Sequence, residues 1–331
     1  MRVVSLASGS SGNALFVEAG PQGRTKILVD AGLGVRVLRE RLQLIGVSLE
    51  QLSGVLITHE HSDHVLALPS LIRRYRLPIF TNAETFAAVE EGLATGAWRS
   101  DSGKLVNSPA DVELGITHLI ESEVALLEEQ GGVQVTAHVK EAASVNHPPD
   151  GLPAHFLTSG KIHVLGDIEI TSFPTSHDAV SPSGYLLNAG GCRICVVTDT
   201  GEVTPEMLTM MHKADLLVLE SNHDRQRLLR GPYPYKLKQR IFGPTGHLSN
   251  DQAAQAVLQT WHPNGVRWLW LAHLSRTNNT PTLALTSMRE RLQHAGANLS
   301  QVHISVLPPG MGGTWDSTQL WHAPSLWDLQ P

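Results

Sequence analysis

Short apolar runs punctuated by Gly, Ser, Asn and Pro dominate the first hundred residues. Residues 3–7 and 14–17 read as strands on either side of Ser8-Gly9-Ser10-Ser11-Gly12-Asn13. Residues 27–30 form a short buried strand ending on Asp30, and 54–58 another that runs straight into His59. Leu38, Leu42 and Ile45, at i, i+4 and i+7, predict a helix between them. Helical patterns near 64–76 and 84–95 flank a short strand at Ile79-Phe80. Periodicity then fades over about 97–165, where only a short helix at 120–130 and a strand at 131–138 suggest themselves. This stretch reads as an insertion or lid on a single domain spanning 1–331, because it lacks a core of its own. Regular alternation returns at 168–173. Strands follow at 184–188, 191–198, 215–219, 266–272 and 302–306, and helices at 204–213, 249–261 and 282–295. The tail, 308–331, carries Trp315, Trp321 and Trp327 without a period. Strands, then strands alternating with helices, in both halves: this order predicts sheets covered by helices in layers.

Composition narrows the class. Of the 331 residues 41% are hydrophobic and 17% charged, with formal net charge −6, which excludes a disordered chain. No run approaches the ~18 apolar residues of a membrane span. Two cysteines exclude a disulfide framework. The first ten residues hold too short an apolar run for a signal peptide, so a cytoplasmic location is expected. The unusual number is 17 histidines.

Their distribution points to metal. Thr58-His59-Glu60-His61-Ser62-Asp63-His64 packs four potential ligands into six residues directly after a buried strand. Imidazole and carboxylate suit Zn²⁺, Mn²⁺ or Fe²⁺. On an extended loop His59 and His61 point the same way and grip one ion, while Asp63 and His64, where the chain turns into a helix, face a second.

With Asp30 ending an earlier strand, this H-x-H-x-D-H pattern resembles the metallo-β-lactamase superfamily, over roughly 1–95 and 165–295. The resemblance implies an α/β fold, the four-layer αββα sandwich, with a metal site at one edge of its sheets. It also implies a ligand set. Asp30 orients the histidine loop. His177 in Pro174-Thr175-Ser176-His177-Asp178 completes a first triad with His59 and His61, and His273 in Ala272-His273-Leu274-Ser275 completes a second with Asp63 and His64. Asp199 in Thr198-Asp199-Thr200-Gly201 bridges the two. Common β-lactamases of the superfamily carry Cys at that bridge, so Asp199 argues against lactam hydrolysis. The Ser8–Asn13 turn resembles the YycJ (WalJ) branch. So do Glu220-Ser221-Asn222-His223-Asp224, Gly246-His247-Leu248-Ser249-Asn250 and Asn278-Asn279-Thr280-Pro281. Its members are associated with 5′-to-3′ DNA exonuclease activity. The departure is the 97–165 segment, which sets His177 116 residues after His61.

Two divalent cations, Zn²⁺ or Mn²⁺, and a DNA substrate follow as expectations. Asp63, His247 and His223 are the candidate catalytic groups, the two histidines as proton donors or phosphate contacts. Residues 224–240 hold Arg225, Arg227, Arg230, Lys236, Lys238 and Arg240 against Asp224 alone, a local +5 that leaves −11 for the remainder. Tyr233 and Tyr235 interleave with them, as phosphate binding and base stacking require. Asn13 is a further candidate substrate contact. Ser8–Asn13 is not a P-loop, having neither Lys nor a following helix. Cys192 and Cys195 read as buried on opposite faces of a strand, and His118, His138, His147, His155 and His163 as loop or surface residues. A small-molecule phosphodiesterase or a thioester or lactone hydrolase is the alternative enzyme, and a metal-binding regulatory protein the non-catalytic one.

Overall fold

The computed structural model describes residues 1–96, 154–261 and 267–321; the helix and strand expected at 120–130 and 131–138 fall outside them. Six strands, β1 (Arg2–Ala7), β2 (Ala14–Ala19), β3 (Thr25–Val29), β4 (Gly54–Leu56), β5 (Ile79–Thr81) and β6 (Ala154–Phe156), come first. Eight follow: β7 (Ile162–Leu165), β8 (Ile168–Pro174), β9 (Ser183–Ala189), β10 (Cys192–Val197), β11 (Leu216–Glu220), β12 (Arg267–Ala272), β13 (Val302–Val306) and β14 (Gly312–Asp316). They build two seven-stranded sheets, ordered β14-β1-β2-β3-β4-β5-β6 and β7-β8-β9-β10-β11-β12-β13. Each sheet is antiparallel over its first three pairings and parallel over its last three.

Alternation along the strands explains the layers. Val3, Val17 and Ile27 of the first sheet face Ile170, Leu187, Val196 and Val218 of the second, in a core between the sheets. Their neighbours Val4, Phe16 and Leu28 point outward under α1 (Val35–Leu44), α3 (Leu68–Tyr75) and α4 (Ala83–Thr95). Cys195, Leu217 and Leu219 point outward under α5 (Pro205–His212), α8 (Asn250–Gln259) and α9 (Pro281–His294). Strands buried on both faces read as continuous apolar runs, and the result is the four-layer sandwich.

The structure corrects the sequence reading at several places. The helix expected over 64–76 is two, α2 (Ser62–Val65) and α3, because Pro69 in the first turn of α3 has no N–H to extend the earlier helix. The segment read as an insertion includes β6 and β7, each an edge strand. His155 stacks on Phe80 at 4.6 Å, and Nε2 of His163 accepts from Thr158 N. The tail includes β14, which pairs with β1 and buries Trp315 completely. The basic stretch forms α6 (Arg225–Arg230) and α7 (Tyr235–Phe242), and α7 buries none of its residues. Cys192 lies between the sheets and Cys195 on the outer face, as read. Among the described residues no helix is long and apolar enough to cross a membrane.

Candidate metal centre

The titratable residues gather at the carboxyl ends of the strands of both sheets. Asp30 follows β3, His59 lies three residues past β4, and His177 three past β8. Asp199 lies two residues past β10, Glu220 ends β11, and His273 follows β12. Asp30, Asp199 and His273 all have left-handed backbone, with φ of 61°, 55° and 53°. For a residue with a Cβ that conformation costs about 1–2 kcal/mol, strain of the kind that clusters at functional sites. It turns each chain sharply off its strand, so that the side chain faces the neighbouring strand ends.

The histidine loop is fixed from beneath. Asp30 accepts hydrogen bonds from Thr58 N at 2.9 Å and from His64 Nδ1 at 2.8 Å. Thr58 Oγ1 lies 2.9 Å from the same carboxylate and 3.0 Å from His59 Nδ1. The loop lies directly on Gly32, where a Cβ would come within 1.5 Å of Asp63 O. His177 Nδ1 donates to Gly246 O at 3.1 Å, and His273 Nδ1 to Glu220 Oε1 at 3.0 Å. With Nδ1 held in each case, Nε2 is left to bind metal.

Four sets of donors converge: His59, His61 and His177; Asp63, His64 and His273; His59, His64 and Asp199; and Asp199, Glu220, His247 and His273. Asp199 belongs to two of them. His64 Nε2 lies 3.2 Å from Asp199 Oδ2 and 3.6 Å from Asp63 Oδ2, and His273 Nε2 lies 3.7 Å from Asp63 Oδ2. Donors about 2.0–2.2 Å from one tetrahedral ion stand about 3.3–3.6 Å apart. His59 Nε2, His273 Nε2 and Asp199 Oδ2 are buried without a hydrogen-bond partner. Burial opposes charge on His64 and His273, but the surrounding carboxylates outweigh it. They raise His273 to about 10 and His64 well above its usual range. Burial likewise opposes charge on Asp199, yet His273 and His64 hold it well below the carboxylate range. Such a site draws in positive charge, and its donors fit divalent cations.

Glu220 is the residue the sequence reading missed. Its Oε1 accepts from His247 Nδ1 at 2.7 Å as well as from His273, and its Oε2 from Thr200 N and Leu248 N at 3.0 and 3.2 Å. Both oxygens are therefore committed, which makes Glu220 a support for two imidazoles rather than a ligand. The available signal was a lone acid in the otherwise apolar Leu216–Glu220, between the strands that carry Asp199 and His273.

The remaining candidates divide. His247 stands at the centre, 22% exposed and 5.0 Å from the His177 ring. His223 does not join it. Its ring is fully buried edge-on to Phe242, neither nitrogen has a partner, and burial pushes it down to about 4. A ring sealed from solvent does not protonate a leaving group. Asn13 is turned inward: Gly9 N donates to its Oδ1, and its Nδ2 lies 2.9 Å from His64 Nε2 and 3.2 Å from Asp63 Oδ2. It braces those two residues in place of facing an open surface. Arg227, Arg230 and Lys236 are exposed. Lys238 instead donates to Leu229 O and Gly231 O, Arg225 lies over Phe242, and Arg240 pairs with Asp178.

Residues 7–210 match the family model described as the metallo-beta-lactamase superfamily. The chain belongs to this superfamily. Its superfamily relatives include the exodeoxyribonuclease WalJ of Streptococcus pneumoniae, 33% identical over 88% of this chain and 87% of the relative. The exodeoxyribonuclease YycJ of Bacillus anthracis is 31% identical over 89% of this chain and 90% of the relative. Among solved superfamily structures, the metallo-beta-lactamase fold protein YhfI of Bacillus subtilis superposes with a TM-score of 0.54. It is 15% identical, covers 95% of this chain and 99% of its own, and supports the fold alone. Membership makes the chain a metal-dependent hydrolase.

Proposed function

We propose that this hydrolase is an exodeoxyribonuclease that removes nucleotides in the 5′-to-3′ direction, using two divalent cations, Zn²⁺ or Mn²⁺. The observation that carries the reading is the pair of donor triads, His59-His61-His177 and Asp63-His64-His273, with Asp199 against His64 and His273. The naming of both relatives as exodeoxyribonucleases supports DNA as substrate. Bound cations supply a nucleophile from water at neutral pH and neutralise the charge of a phosphodiester.

The chain's own groups supply the rest. Glu220 holds the Nδ1 proton of His247, so the opposite ring nitrogen is the one that delivers a proton to the departing oxygen. Asp30 and Thr58 keep His59 and His64 in one tautomer. The exposed Arg227, Arg230 and Lys236, with Tyr235 73% exposed beside them, form a basic, aromatic wall for a phosphate backbone. The test is hydrolysis of 5′- and 3′-labelled single- and double-stranded DNA by protein of measured metal content. Stepwise loss from 5′ ends supports the proposal. Intact labelled ends alongside cleavage of a small phosphodiester would establish a small-molecule phosphodiesterase instead.

A further inference from the structure

One ion pair ties the basic helices to the centre. Asp178 directly follows His177, and its Oδ1 lies 3.3 Å from His177 Nε2, the ring nitrogen that faces the metal donors. Its Oδ2 accepts from Arg240 Nε. The two side chains are 27% and 51% exposed, so the pair sits at the lip of the site.

Both partners are firmly mounted. Thr175 N donates to Pro182 O and closes the loop that carries Asp178, and Val180 N donates to Glu60 Oε1. On the other side, Arg240 lies in the last turn of α7, and His247 N donates to Ile241 O. Gly246, whose carbonyl holds His177, lies so close to that last turn that a Cβ would come within 2.3 Å of Arg240 O and Ile241 O. The turn that carries Arg240 is thus the one that packs against the loop holding His177 and His247, and through Asp178 its guanidinium sits one residue from His177.

In the substrate-free chain the anion that holds the half-exposed Arg240 guanidinium is Asp178. A phosphodiester offers a guanidinium the same two-oxygen edge as a carboxylate. We infer that Arg240 is a clamp for a backbone phosphate of the nucleic acid, and that Asp178 is the stand-in this phosphate displaces. The inference rests on the nucleic-acid reading above and adds to it a phosphate subsite next to the metal centre. Entry then exchanges one ion pair for another. A strand carrying a phosphate at this position completes the exchange, and a substrate without one leaves Arg240 on Asp178.

The test is binding of the metal-loaded chain to fluorescent oligonucleotides with uncleavable phosphorothioate ends, measured by anisotropy over a range of salt. Asp178→Asn is expected to bind about three- to tenfold more tightly, because the competing carboxylate charge is gone. Arg240→Gln is expected to bind about tenfold more weakly, with the slope of log affinity against log salt reduced by about 0.7–0.9, the loss of one phosphate contact. Arg240→Lys, keeping the charge without the fork, falls between. The double variant should match Arg240→Gln alone, since Asp178 acts through Arg240. Weaker binding by Asp178→Asn, loss of its metal, or additive effects in the double variant would overturn the inference and make Asp178 a support for His177. Wild-type binding left unchanged by every variant also overturns it. A wild-type chain that binds no oligonucleotide defeats the nuclease reading itself.

Discussion

Replacing Glu220 by Gln changes a single heavy atom and should disable the centre. The buried carboxylate accepts four hydrogen bonds, two from imidazoles at 2.7 and 3.0 Å and two from backbone N–H groups at 3.0 and 3.2 Å. A carboxamide has one oxygen and one NH₂, so two of the four donors must face another donor. With the NH₂ toward Thr200 N and Leu248 N, two buried N–H groups lose their acceptor, at about 1–3 kcal/mol each. With the NH₂ toward the imidazoles, both Nδ1 atoms must become acceptors. The proton of His273 then moves to Nε2, where a metal ligand needs a lone pair. The expected outcome is about 2–6 kcal/mol of lost stability in the first orientation and a 10–100-fold loss of metal affinity in the second. At saturating metal, cleavage should still fall by about 10²-fold or more, because His247 no longer has its donor nitrogen fixed. Urea denaturation, chelator competition and end-labelled DNA cleavage read the three quantities. A Gln variant within twofold of wild type in both affinity and turnover would falsify the assignment of Glu220 as the support of these imidazoles.

Three further outcomes follow from residues away from the ligand set. His223, buried and depressed to about 4, stays neutral in the fold while the unfolded chain protonates near 6.5, so its presence costs stability as pH falls below 6.5. His223→Leu should therefore gain about 1.4 kcal/mol relative to wild type on going from pH 7.5 to 5.5 in denaturant titrations, with cleavage within threefold of wild type; a difference independent of pH refutes this. Trp315→Ala empties a fully buried site between the sheets and should cost about 3–5 kcal/mol by the same assay; a cost under about 1 kcal/mol would show that β14 is not part of the core. Cys192 and Cys195 are buried, and burial pushes the Cys195 thiol up to about 12, so a thiol reagent should label neither in the native protein and both in denaturant.

The elements most legible in the sequence were those whose signal is local. His59, His61, Asp63 and His64 announce themselves because four metal-binding side chains fall together after an apolar strand, and the structure brings all four to one centre. His177, Asp199 and His273 were recoverable because each closes a strand and the resemblance supplies the pairing. Glu220 was not, because a buried acid within an apolar run looks like a strand boundary until the neighbouring strands are known. The helices α6 and α7 escaped because Gly231, Pro232 and Pro234 break any period, and α7 buries no face for a pattern to report. β14 escaped for the opposite reason: a single tryptophan, Trp315, marks its core side. His223 and His247 were indistinguishable in the sequence. Only the packing of Phe242 over one and the exposure of the other separates them.

The two halves of the molecule share one plan, three antiparallel pairings followed by three parallel ones in each sheet. The donors divide along that line. His59, His61, Asp63 and His64 come from the first sheet, and His177, Asp199 and His273 from the second. Neither triad is complete in one half: the first lacks His177 and the second lacks His273. Closure of either donor triad thus reports docking of the halves. On the proposed ligand set, a nascent or partly unfolded chain whose sheets have not met would have no complete donor triad, so its hydrolytic power would be withheld until its own folding is finished.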